Sequence, residues 1–335
     1  MTVNVLVTGG AGYIGSHACK ALAQAGFTPV TLDSLVNGHR DAVRWGPFVL
    51  GDLADEQLVR STLRKHRIEA VMHFAAFAYV GESMYEPGVY LRNNVSNSIE
   101  LLNAMHAEGV RHFVFSSTCA TYGIPDVSPI DERQPQLPVN PYGESKLMVE
   151  RALHWFGLAH DLRYVALRYF NAAGADPDGE IGESHDPETH LIPLVIEAAQ
   201  GRRSAVSIFG TDYDTPDGTA IRDYIHVSDL ARAHVAALEF LRGGGASACV
   251  NLGTGTGHSV RDVIEMVEAV GGQTVPVVEQ SRRPGDPPAL VAAGAKANDL
   301  LGWTPTCSDL RSIVTTAWEW HAREQVGAMA NSMAR

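Results

Sequence analysis

The stretch that decides the fold is VLVTGGAGYIGSHACKALAQAGFTPVTLD, residues 5–33. Its first residues alternate in a β-rich run, which breaks at a glycine-rich turn and continues as the alanine-rich stretch Ser16–Ala25. A second apolar run, Thr28–Leu32, follows and ends on Asp33. The pattern predicts a strand, a glycine turn, a helix and a second strand.

The turn carries Gly9, Gly12 and Gly15 in the spacing G-x-x-G-x-x-G, a variant of the dinucleotide fingerprint. Such glycines allow a tight turn, close approach of the backbone to a pyrophosphate, and close packing of helix on strand. The amides of Tyr13 and Ile14, which open the helix, would face the anion. A tight turn alone also favours glycine, but the flanking strand and helix favour a dinucleotide site.

Acidic residues after the next two strands indicate how an adenosine could be bound. A carboxylate at Asp33 can accept both ribose hydroxyls and would repel a 2′-phosphate, so the predicted cofactor is NAD rather than NADP. Asp52 and Leu53 follow the predicted strand Phe48–Leu50. The Asp52 carboxylate could accept the adenine amino group, or it could cap a helix predicted over Glu56–Arg67.

Further strands and helices alternate along the chain. The run Ala70–Phe74 is typical of a buried parallel strand, and the small residues Ala75 and Ala76 would let the backbone lie against a flat ligand. We expect a loop over Gly81–Pro87 and a long helix over Asn93–Glu108. The alternation predicts an α/β fold, a doubly wound parallel sheet of Rossmann type, with ligands beyond the carboxyl ends of its strands.

A second motif follows a later strand. The run FSSTCATYG, residues 115–123, places the hydroxyl of Thr118 at a strand's carboxyl end, and PYGESK opens a helix with Tyr142 and Lys146 four residues apart. Residues four apart share one helix face. An ammonium group and a positive nicotinamide ring beside a phenol favour the phenolate, and they lower the pKa of the phenol from its ordinary value of about 10. We therefore predict Tyr142 as general base, with Thr118 bonding the reacting sugar hydroxyl and relaying its proton.

Chain length and net charge limit the domain organisation and the partners of the protein. A chain of 335 residues can bury a large core, and we expect a dinucleotide-binding domain over 1–175 and a smaller C-terminal α/β substrate lobe over 176–335, with segments near 225–255 returning to the first domain. A net charge of -12 argues against nucleic acid as a partner, so local arginines must hold any anionic substrate.

The cysteines and histidines predict neither disulfides nor a metal. The four cysteines are far apart and form no C-x-x-C pair, which favours reduced thiols. His185 and His190 stand five apart in a proline-containing loop, a poor match to metal-ligand spacings. No leader-like segment precedes the first strand and no stretch approaches the roughly 20 apolar residues of a membrane span, so we expect a cytoplasmic protein with no membrane partner.

Together these motifs resemble the extended short-chain dehydrogenase/reductase superfamily and, within it, the UDP-glucose (UDP-galactose) 4-epimerase family. The resemblance spans nearly the whole chain. The matching stretches are Val7–His17, His73–Ser83, Phe115–Gly123, Asn140–Glu150, Leu167–Gly174, Gly210–His226, Asn251–Gly253 and Arg282–Pro288. It implies a homodimeric isomerase that interconverts UDP-galactose and UDP-glucose through a transient 4-keto sugar, with NAD tightly bound.

The fingerprint and the resemblance together imply a set of binding residues. Those for the cofactor are Gly9, Gly12, Tyr13, Ile14, Gly15, Asp33, Asp52, Leu53, Phe74, Ala75, Ala76, Asn93, Tyr142, Lys146 and Tyr169. Those for the UDP-sugar are Thr118, Tyr142, Asn171, His190, Leu191, Ile208, Phe209, Arg222, Arg283, Asp286 and Leu290. Among them the two arginines would hold the phosphates, although each could instead form a surface ion pair.

Two positions depart from the best-known epimerases, and two others differ from a related family of dehydratases. Ala78 stands where many epimerases carry a cofactor-contacting lysine. Leu290 stands where members restricted to unmodified hexoses carry a tyrosine, so UDP-N-acetylglucosamine is expected to be at least a weak substrate. Cys119 and Ala120 replace the Asp-Glu pair of nucleotide-sugar 4,6-dehydratases, which disfavours dehydration.

Alternative functions remain open. Phe77–Ser83 and Ser116–Gly123 also resemble UDP-arabinose (UDP-xylose) 4-epimerases, and Leu290 leaves a UDP-N-acetylglucosamine 4-epimerase possible. A non-catalytic nucleotide-sensing protein would predict a broken proton relay, whereas the threonine, tyrosine and lysine are all present. The candidate packing faces of a homodimer are the helices predicted over 93–108 and 142–159.

Overall fold

A seven-stranded sheet forms the centre of the computed structural model, which describes residues 2–283 and 285–333, with side chains as far as residue 323. Across the sheet the strands are β3 (Phe48–Leu50), β2 (Thr28–Asp33), β1 (Asn4–Thr8), β4 (Ile68–His73), β5 (His112–Thr118), β6 (Arg163–Tyr169) and β10 (Ala248–Leu252). All neighbours run parallel. The strand order reverses between β1 and β4, where a sheet of this kind opens a ligand crevice.

Helices cover both faces of this sheet. They are α1 (Tyr13–Gln24), α2 (Glu56–Lys65), α5 (Asn97–Ala107), α6 (Pro141–His160) and α8 (Val227–Arg242). Val5 and Val7 pack in the core beneath α1 and α8, whereas Leu6 belongs to the core on the opposite face with α2, α5 and α6. Alternate residues of a strand face opposite sides, so one short apolar run serves two cores. The predicted doubly wound α/β fold is confirmed.

The second half of the chain adds smaller sheets and more helices. These elements are β7 (Asn171–Ala173), α7 (Leu191–Ala199), β8 (Val206–Phe209), β9 (Ile221–His226), β11 (Gly257–Ser259), α9 (Val260–Gly271), β12 (Val277–Gln280), β13 (Ala289–Leu290), α10 (Ala295–Leu301) and α11 (Leu310–Met333). Strands β11, β9, β13 and β7 form one sheet, and β12 pairs with β8. A separate core joins α7, α9 and α11. Because α8 packs on α1 and β10 pairs with β6, the stretch 227–252 lies with the main sheet; the domain boundary at 175 stays a prediction.

The segment before α5 differs most from expectation. The loop predicted over Gly81–Pro87 is wrong: α3 (Val80–Tyr85) occupies most of it, and α4 (Pro87–Tyr90) follows at once. The buried Tyr90 hydroxyl donates to the carbonyl oxygen of Tyr79 at 2.8 Å and lies 2.7 Å from Glu82 Oε2, which ties α4 to α3. Pro87 suits a first helical turn, where its missing N–H is not needed.

The predicted helix Asn93–Glu108 begins earlier and is not uniform. A π-helical turn, Leu91–Ser96, connects α4 to α5. Within it the Asn94 side chain accepts from the Phe77 amide at 2.9 Å and donates to the Phe77 carbonyl at 3.0 Å. A π turn inserts one extra residue, and such turns are frequent at functional sites.

Asp55, rather than Asp52, caps α2. The Asp55 carboxylate accepts from the Leu58 amide at 3.0 Å, whereas Asp52 Oδ1 accepts from the Ala54 amide at 2.8 Å. The helix begins at Glu56, and a cap is the residue directly before the first helical one. The capping role considered for Asp52 is therefore wrong.

Two further observations bear on the environment of the protein. All four cysteines are free thiols, as predicted. Among the helices of residues 2–283 and 285–333, none is both long and apolar enough for a membrane span.

Candidate active site

The turn between β1 and α1 is packed too closely for side chains. A Cβ atom on Gly15 would lie 2.1 Å from the carbonyl oxygen of Gly9, and one on Gly9 would lie 2.6 Å from the Ala75 nitrogen. Gly9 also has a φ of 75°, in the region that favours glycine. A Cβ on Gly12 meets only the Gly9 carbonyl oxygen, at 3.4 Å. Gly9 and Gly15 are therefore required by packing, while Gly12 is free to admit a ligand.

The N-terminus of α1 suits an anion. The helix has Gly12 as its N-cap, no capping side chain and no acidic residue in its first turn, so its first amides are available. Ile14 packs partly into the core. The Tyr13 hydroxyl instead donates to the carbonyl oxygen of Gly174 at 2.5 Å and thereby ties the turn to the segment that follows β7.

Asp33 is fixed where β2 ends. Its Oδ2 accepts from the Ala11 amide at 2.9 Å and its Oδ1 from the Leu35 amide at 2.8 Å. A carboxylate offers about four acceptor sites, so two remain for the hydroxyls of a ribose. With the glycine turn and the bare helix N-terminus, this carboxylate makes the crevice fit a dinucleotide such as NAD.

The other predicted cofactor residues lie in several environments. Phe74, Ala75 and Ala76 are half-buried directly after β4, and Asn93 lies on the π turn. Asp52 is exposed, whereas Leu53 is buried in the core with α2, so its side chain is not available to a ligand.

The predicted catalytic residues come together beyond β5. Thr118, Tyr142 and Lys146 are 6%, 8% and 3% exposed, so bulk water is largely excluded from them. Lys146 Nζ donates to the carbonyl oxygen of Ser116 at 2.8 Å and lies 5.9 Å from the centre of the Tyr142 ring. The Thr118 hydroxyl accepts from the Ala120 amide at 3.1 Å, and the Thr118 side chain lies close enough to the Tyr142 phenol to lower its pKa. Tyr169, a predicted cofactor residue, places its hydroxyl 2.8 Å from Ser116 Oγ.

Burial governs the protonation of this set. It raises the pKa of Tyr142 well above its ordinary value, and the nearby Thr118 side chain opposes this only in part. Burial also lowers the pKa of Lys146 to about 7, with Glu150 opposing. The expected lowering of the phenol pKa is therefore not produced by the protein groups alone, because desolvation dominates. A phenolate at Tyr142 requires a further positive charge nearby, the role assigned above to a nicotinamide ring.

A buried ion pair supports the catalytic helix. Arg168 Nη2 lies 2.6 Å from Glu150 Oε2, and Ser117 Oγ donates to Glu150 Oε1 at 2.6 Å. Arg168 Nη1 is 2.8 Å from the Tyr122 hydroxyl. Glu150 lies one turn beyond Lys146, so these bonds fix α6 against β5 and β6. Sequence reasoning missed this support, although charged residues within apolar runs were a signal of it.

A cavity of about 360 Å³ lies between β7, α7, β8 and β9, within the size range of small-molecule sites. Seven of the predicted substrate residues line it: Asn171, His190, Leu191, Phe209, Arg222, Arg283 and Asp286. Ile208 does not, because alternate residues of β8 face opposite ways and its side chain is in the core. Leu290 and Cys119 both pack against a separate apolar cluster that contains Tyr122 and Phe170.

The charged groups of this cavity are linked to one another. Asp286 contacts Arg222 through Oδ1, and its Oδ2 lies 3.0 Å from Arg283 Nη2. The Arg283 guanidinium lies 4.9 Å from the centre of the Phe209 ring. The ion-pair alternative and the phosphate role are thus compatible, because one carboxylate holds two arginine forks at the cavity. Arg203 also lines the cavity and was missed.

The loop between β7 and α7 differs from the sequence expectation. It brings His185 and His190 together with Glu183 and Glu188, with one ligand atom of each within 4.8 Å of the others. Burial lowers the pKa of both histidines, but the carboxylates outweigh it and raise the pKa of His190 to about 10 and that of His185 to about 9. The spacing of the two histidines alone does not indicate this cluster, because Glu183 and Glu188 complete it only in the folded loop.

The glycine turn, the parallel sheet and the buried Thr-Tyr-Lys set define a dinucleotide-dependent enzyme of the short-chain dehydrogenase/reductase class, with a separate cavity for an anionic ligand. The model of the NAD dependent epimerase/dehydratase family matches residues 5–253. Because this match covers most of the chain, the protein belongs to that family.

Individual relatives agree with this assignment. The chain is 52% identical over 324 residues to a UDP-glucose 4-epimerase of Rhizobium meliloti, covering 97% of this chain and 98% of that protein. It is similar to the crystal structure of UDP-glucose 4-epimerase from Brucella ovis in complex with NAD, with 53% identity, a TM-score of 0.94, and 95% and 98% of the two chains covered. A UDP-glucose-4-epimerase from Stenotrophomonas maltophila, with bound NAD and formylated UDP-arabinopyranose, is 42% identical with a TM-score of 0.94, covering 97% of this chain and 99% of that one. The family resemblance inferred from the motifs is confirmed.

The glycine turn can be tested by a pair of substitutions. Gly15→Ala is expected to lower the free energy of unfolding by about 1–3 kcal/mol, because its methyl group would overlap the Gly9 carbonyl. Gly12→Ala is expected to leave unfolding nearly unchanged but to reduce the NAD content of the purified protein. Urea denaturation and quantification of released NAD measure the two effects. Equal destabilisation by both substitutions would contradict the separate roles.

Proposed function

We propose that this protein catalyses the interconversion of UDP-galactose and UDP-glucose as an NAD-dependent nucleotide-sugar 4-epimerase. The observation that carries the proposal is the buried Thr118, Tyr142 and Lys146 set beside a dinucleotide turn. The 52% identity to a UDP-glucose 4-epimerase over nearly the full chain supports it. The intact relay argues against a non-catalytic nucleotide sensor.

The chain's own residues then act as a proton-transfer apparatus. NAD, held by the glycine turn and Asp33, supplies a hydride acceptor that can return the hydride. Tyr142 Oη removes the proton of the sugar 4-hydroxyl, and Thr118, whose side chain lies near the phenol, hydrogen-bonds that hydroxyl and relays its proton. Lys146, held by the Ser116 carbonyl, places its ammonium on the same side as the phenol. The exclusion of water protects the 4-keto sugar until the same phenol returns the proton.

The two halves of the substrate meet different surroundings. Arg222 and Arg283 offer guanidinium forks for the diphosphate. The cluster with Cys119 and Leu290 is apolar and offers few hydrogen bonds. A firmly held diphosphate and a loosely held sugar allow the 4-keto sugar to turn and present its other face.

Removing the phenolic hydroxyl tests the assignment of the base. Tyr142→Phe is expected to lower kcat for UDP-galactose by about 10²-fold or more, the range that general-base catalysis contributes. Tyr85→Phe, which removes a hydroxyl from an exposed tyrosine, serves as the control. Conversion to UDP-glucose is followed by a coupled assay. An unchanged kcat for Tyr142→Phe would refute the proposed role.

Leu290 bears on the range of sugars. It pairs in register with Arg222, and it packs against the same apolar cluster as Cys119, the residue after Thr118, which supports a position near both the arginines and the catalytic set. A leucine lacks the ring and hydroxyl of a tyrosine and leaves room for an N-acetyl group. We therefore propose UDP-N-acetylglucosamine as a weak second substrate.

A single substitution tests this range. Leu290→Tyr is expected to lower kcat/KM for UDP-N-acetylglucosamine by about tenfold or more relative to UDP-galactose, because the larger ring fills the space. Leu290→Met, which conserves volume, is the control. Both are measured beside UDP-xylose. No conversion of UDP-N-acetylglucosamine by the unmodified enzyme would refute the second substrate, and a higher kcat/KM for UDP-xylose than for UDP-galactose would favour the pentose alternative.

We further propose a homodimer that forms through α6. Met148, Trp155 and Leu158 are exposed on this helix at spacings of seven and three, which place them on one face. Met84 and Tyr85 of the neighbouring α3 are also exposed. Exposed apolar patches of this kind mark contact surfaces.

A charge on this face is expected to separate the subunits. Trp155→Glu should shift the sedimentation coefficient to that of a monomer, because the dimer would bury an unpaired carboxylate. Leu137→Glu, which charges an equally exposed loop residue, should leave the dimer intact. A monomeric unmodified protein at micromolar concentration would rule out the proposed dimer.

We also place the protein in the cytoplasm. Its four cysteines are free, and paired cysteines are the usual form in oxidising compartments. Three of the four thiols have a pKa raised by burial to about 11 or 12, which keeps them protonated and unreactive.

A further inference from the structure

Four side chains of the loop between β7 and α7 converge outside the catalytic set. Glu183 Oε1 lies 2.7 Å from His190 Nδ1 and 3.2 Å from His185 Nδ1. Glu188 lies 3.3 Å from His190 Nδ1 through Oε1 and 3.7 Å from His185 Nδ1 through Oε2. Each histidine thus meets both carboxylates through the same ring nitrogen.

Two of these atoms are buried without a hydrogen bond. Glu183 Oε1 and His185 Nδ1 have no hydrogen-bond partner of acceptable geometry, although each has an oppositely charged neighbour within 3.2 Å. The Glu183 side chain is only 4% exposed, so water does not readily satisfy it. A buried polar atom without a partner is costly. Short distances without hydrogen-bond alignment are what ligand atoms show when they face a common centre rather than one another.

The four side chains lie close enough together to share one metal ion, because one ligand atom of each lies within 4.8 Å of the others. Bonds of about 2.0–2.1 Å from a zinc ion to nitrogen and oxygen ligands give ligand-to-ligand separations of about 3.3 Å. The four histidine-to-carboxylate distances, which involve both oxygens of Glu188, lie between 2.7 and 3.7 Å, on either side of that value. We propose that Glu183, His185, Glu188 and His190 bind one divalent transition-metal ion of the zinc class. Imidazole and carboxylate ligands suit that class better than Mg²⁺, which favours six oxygens.

Neighbouring groups hold the proposed ligands in place. Glu188 Oε1 accepts from the backbone amides of Thr189 and His190 at 2.7 and 2.8 Å. Trp320 Nε1 donates to the Glu183 carbonyl at 2.9 Å, which anchors the loop to α11. Supporting bonds of this kind orient metal ligands.

A nearby acidic cluster provides a contrast. Asp176, Asp178 and Glu180 also lie close together, but Lys20 Nζ is within 2.8 Å of all three. The ammonium group of Lys20 therefore occupies the place among these carboxylates that a metal ion would take. In the histidine-glutamate cluster the described part of the chain shows no lysine or arginine ion pair, so only the two histidines themselves, which can lose a proton to bind a metal, face the carboxylates.

The position of the site suggests what a bound metal would do. Glu183 and His190 line the UDP-sugar cavity, and the His185 ring lies 6.2 Å from the Tyr13 ring of the dinucleotide turn. A metal would therefore fix the cavity wall next to that turn. It would take no part in proton transfer, because none of its ligands belongs to the catalytic set. It is a structural site at the substrate cavity.

Metal uptake tests the proposal without any measurement of turnover. The full-length protein is treated with a chelator, dialysed, and titrated with Zn²⁺, Co²⁺ or Mg²⁺ alone. We expect one Zn²⁺ per chain, an intense visible absorption of tetrahedral Co²⁺, and no comparable uptake of Mg²⁺. Binding of Zn²⁺ no tighter than Mg²⁺, or a weak octahedral Co²⁺ spectrum, would overturn the proposal in favour of an ion-pair cluster.

Variants locate the bound ion. His185→Gln and Glu183→Gln are each expected to weaken Zn²⁺ binding by about tenfold or more, as loss of a ligand should. His154→Gln, which removes an exposed histidine of α6, is the control. Circular dichroism of each variant establishes that it folds. Uptake unchanged in both folded ligand variants would place the metal elsewhere and refute the site.

A second readout rests on the proposed function. Removal of the metal from the unmodified protein is expected to raise KM for UDP-galactose several-fold, with kcat changed less, and Zn²⁺ should restore KM. Metal uptake without epimerase activity would refute the proposed function but not the metal site. Epimerase activity without metal uptake would refute the metal site but not the proposed function.

Discussion

The hydrogen bond from Lys146 Nζ to the Ser116 carbonyl is the contact on which the catalytic geometry depends. It joins the first turns of α6 to the end of β5, which brings Tyr142 and Thr118 close enough for the Thr118 side chain to lower the pKa of the phenol. The buried Arg168 and Glu150 pair holds the same helix one turn farther on. Removing one partner of such a pair leaves an uncompensated charge, which makes this attachment rigid.

Burial around this contact shifts the pKa of Lys146 and the pKa of Tyr142 in opposite directions. It disfavours the charged forms of both the ammonium and the phenol, so Tyr142 and Lys146 shift toward neutrality together. The ordinary lysine-tyrosine argument assumes a charged lysine and a solvated phenol. In this fold the positive charge that decides the protonation of Tyr142 must come from a ligand bound in the crevice.

Local patterns predicted most of the sheet and the catalytic set. The strand-glycine-helix run and the Tyr-x-x-x-Lys spacing need only neighbours in sequence, and both motifs lie where they were expected. The α3 segment was missed because its stability comes from Tyr90, and the glutamate-histidine cluster because four residues converge only after the loop folds. The pKa of Tyr142 is raised because the side chain is buried, and the spacing of residues in the sequence does not reveal that burial.

The bond between the Tyr13 hydroxyl and the Gly174 carbonyl has a consequence for how long a dinucleotide stays. The glycine turn is hydrogen-bonded to a residue 161 positions farther along the chain, so movement of the turn away from a bound dinucleotide would also require this contact to break. Slow release of the dinucleotide suits an epimerase, because the hydride transferred to NAD must still be present when the 4-keto sugar has turned and is reduced.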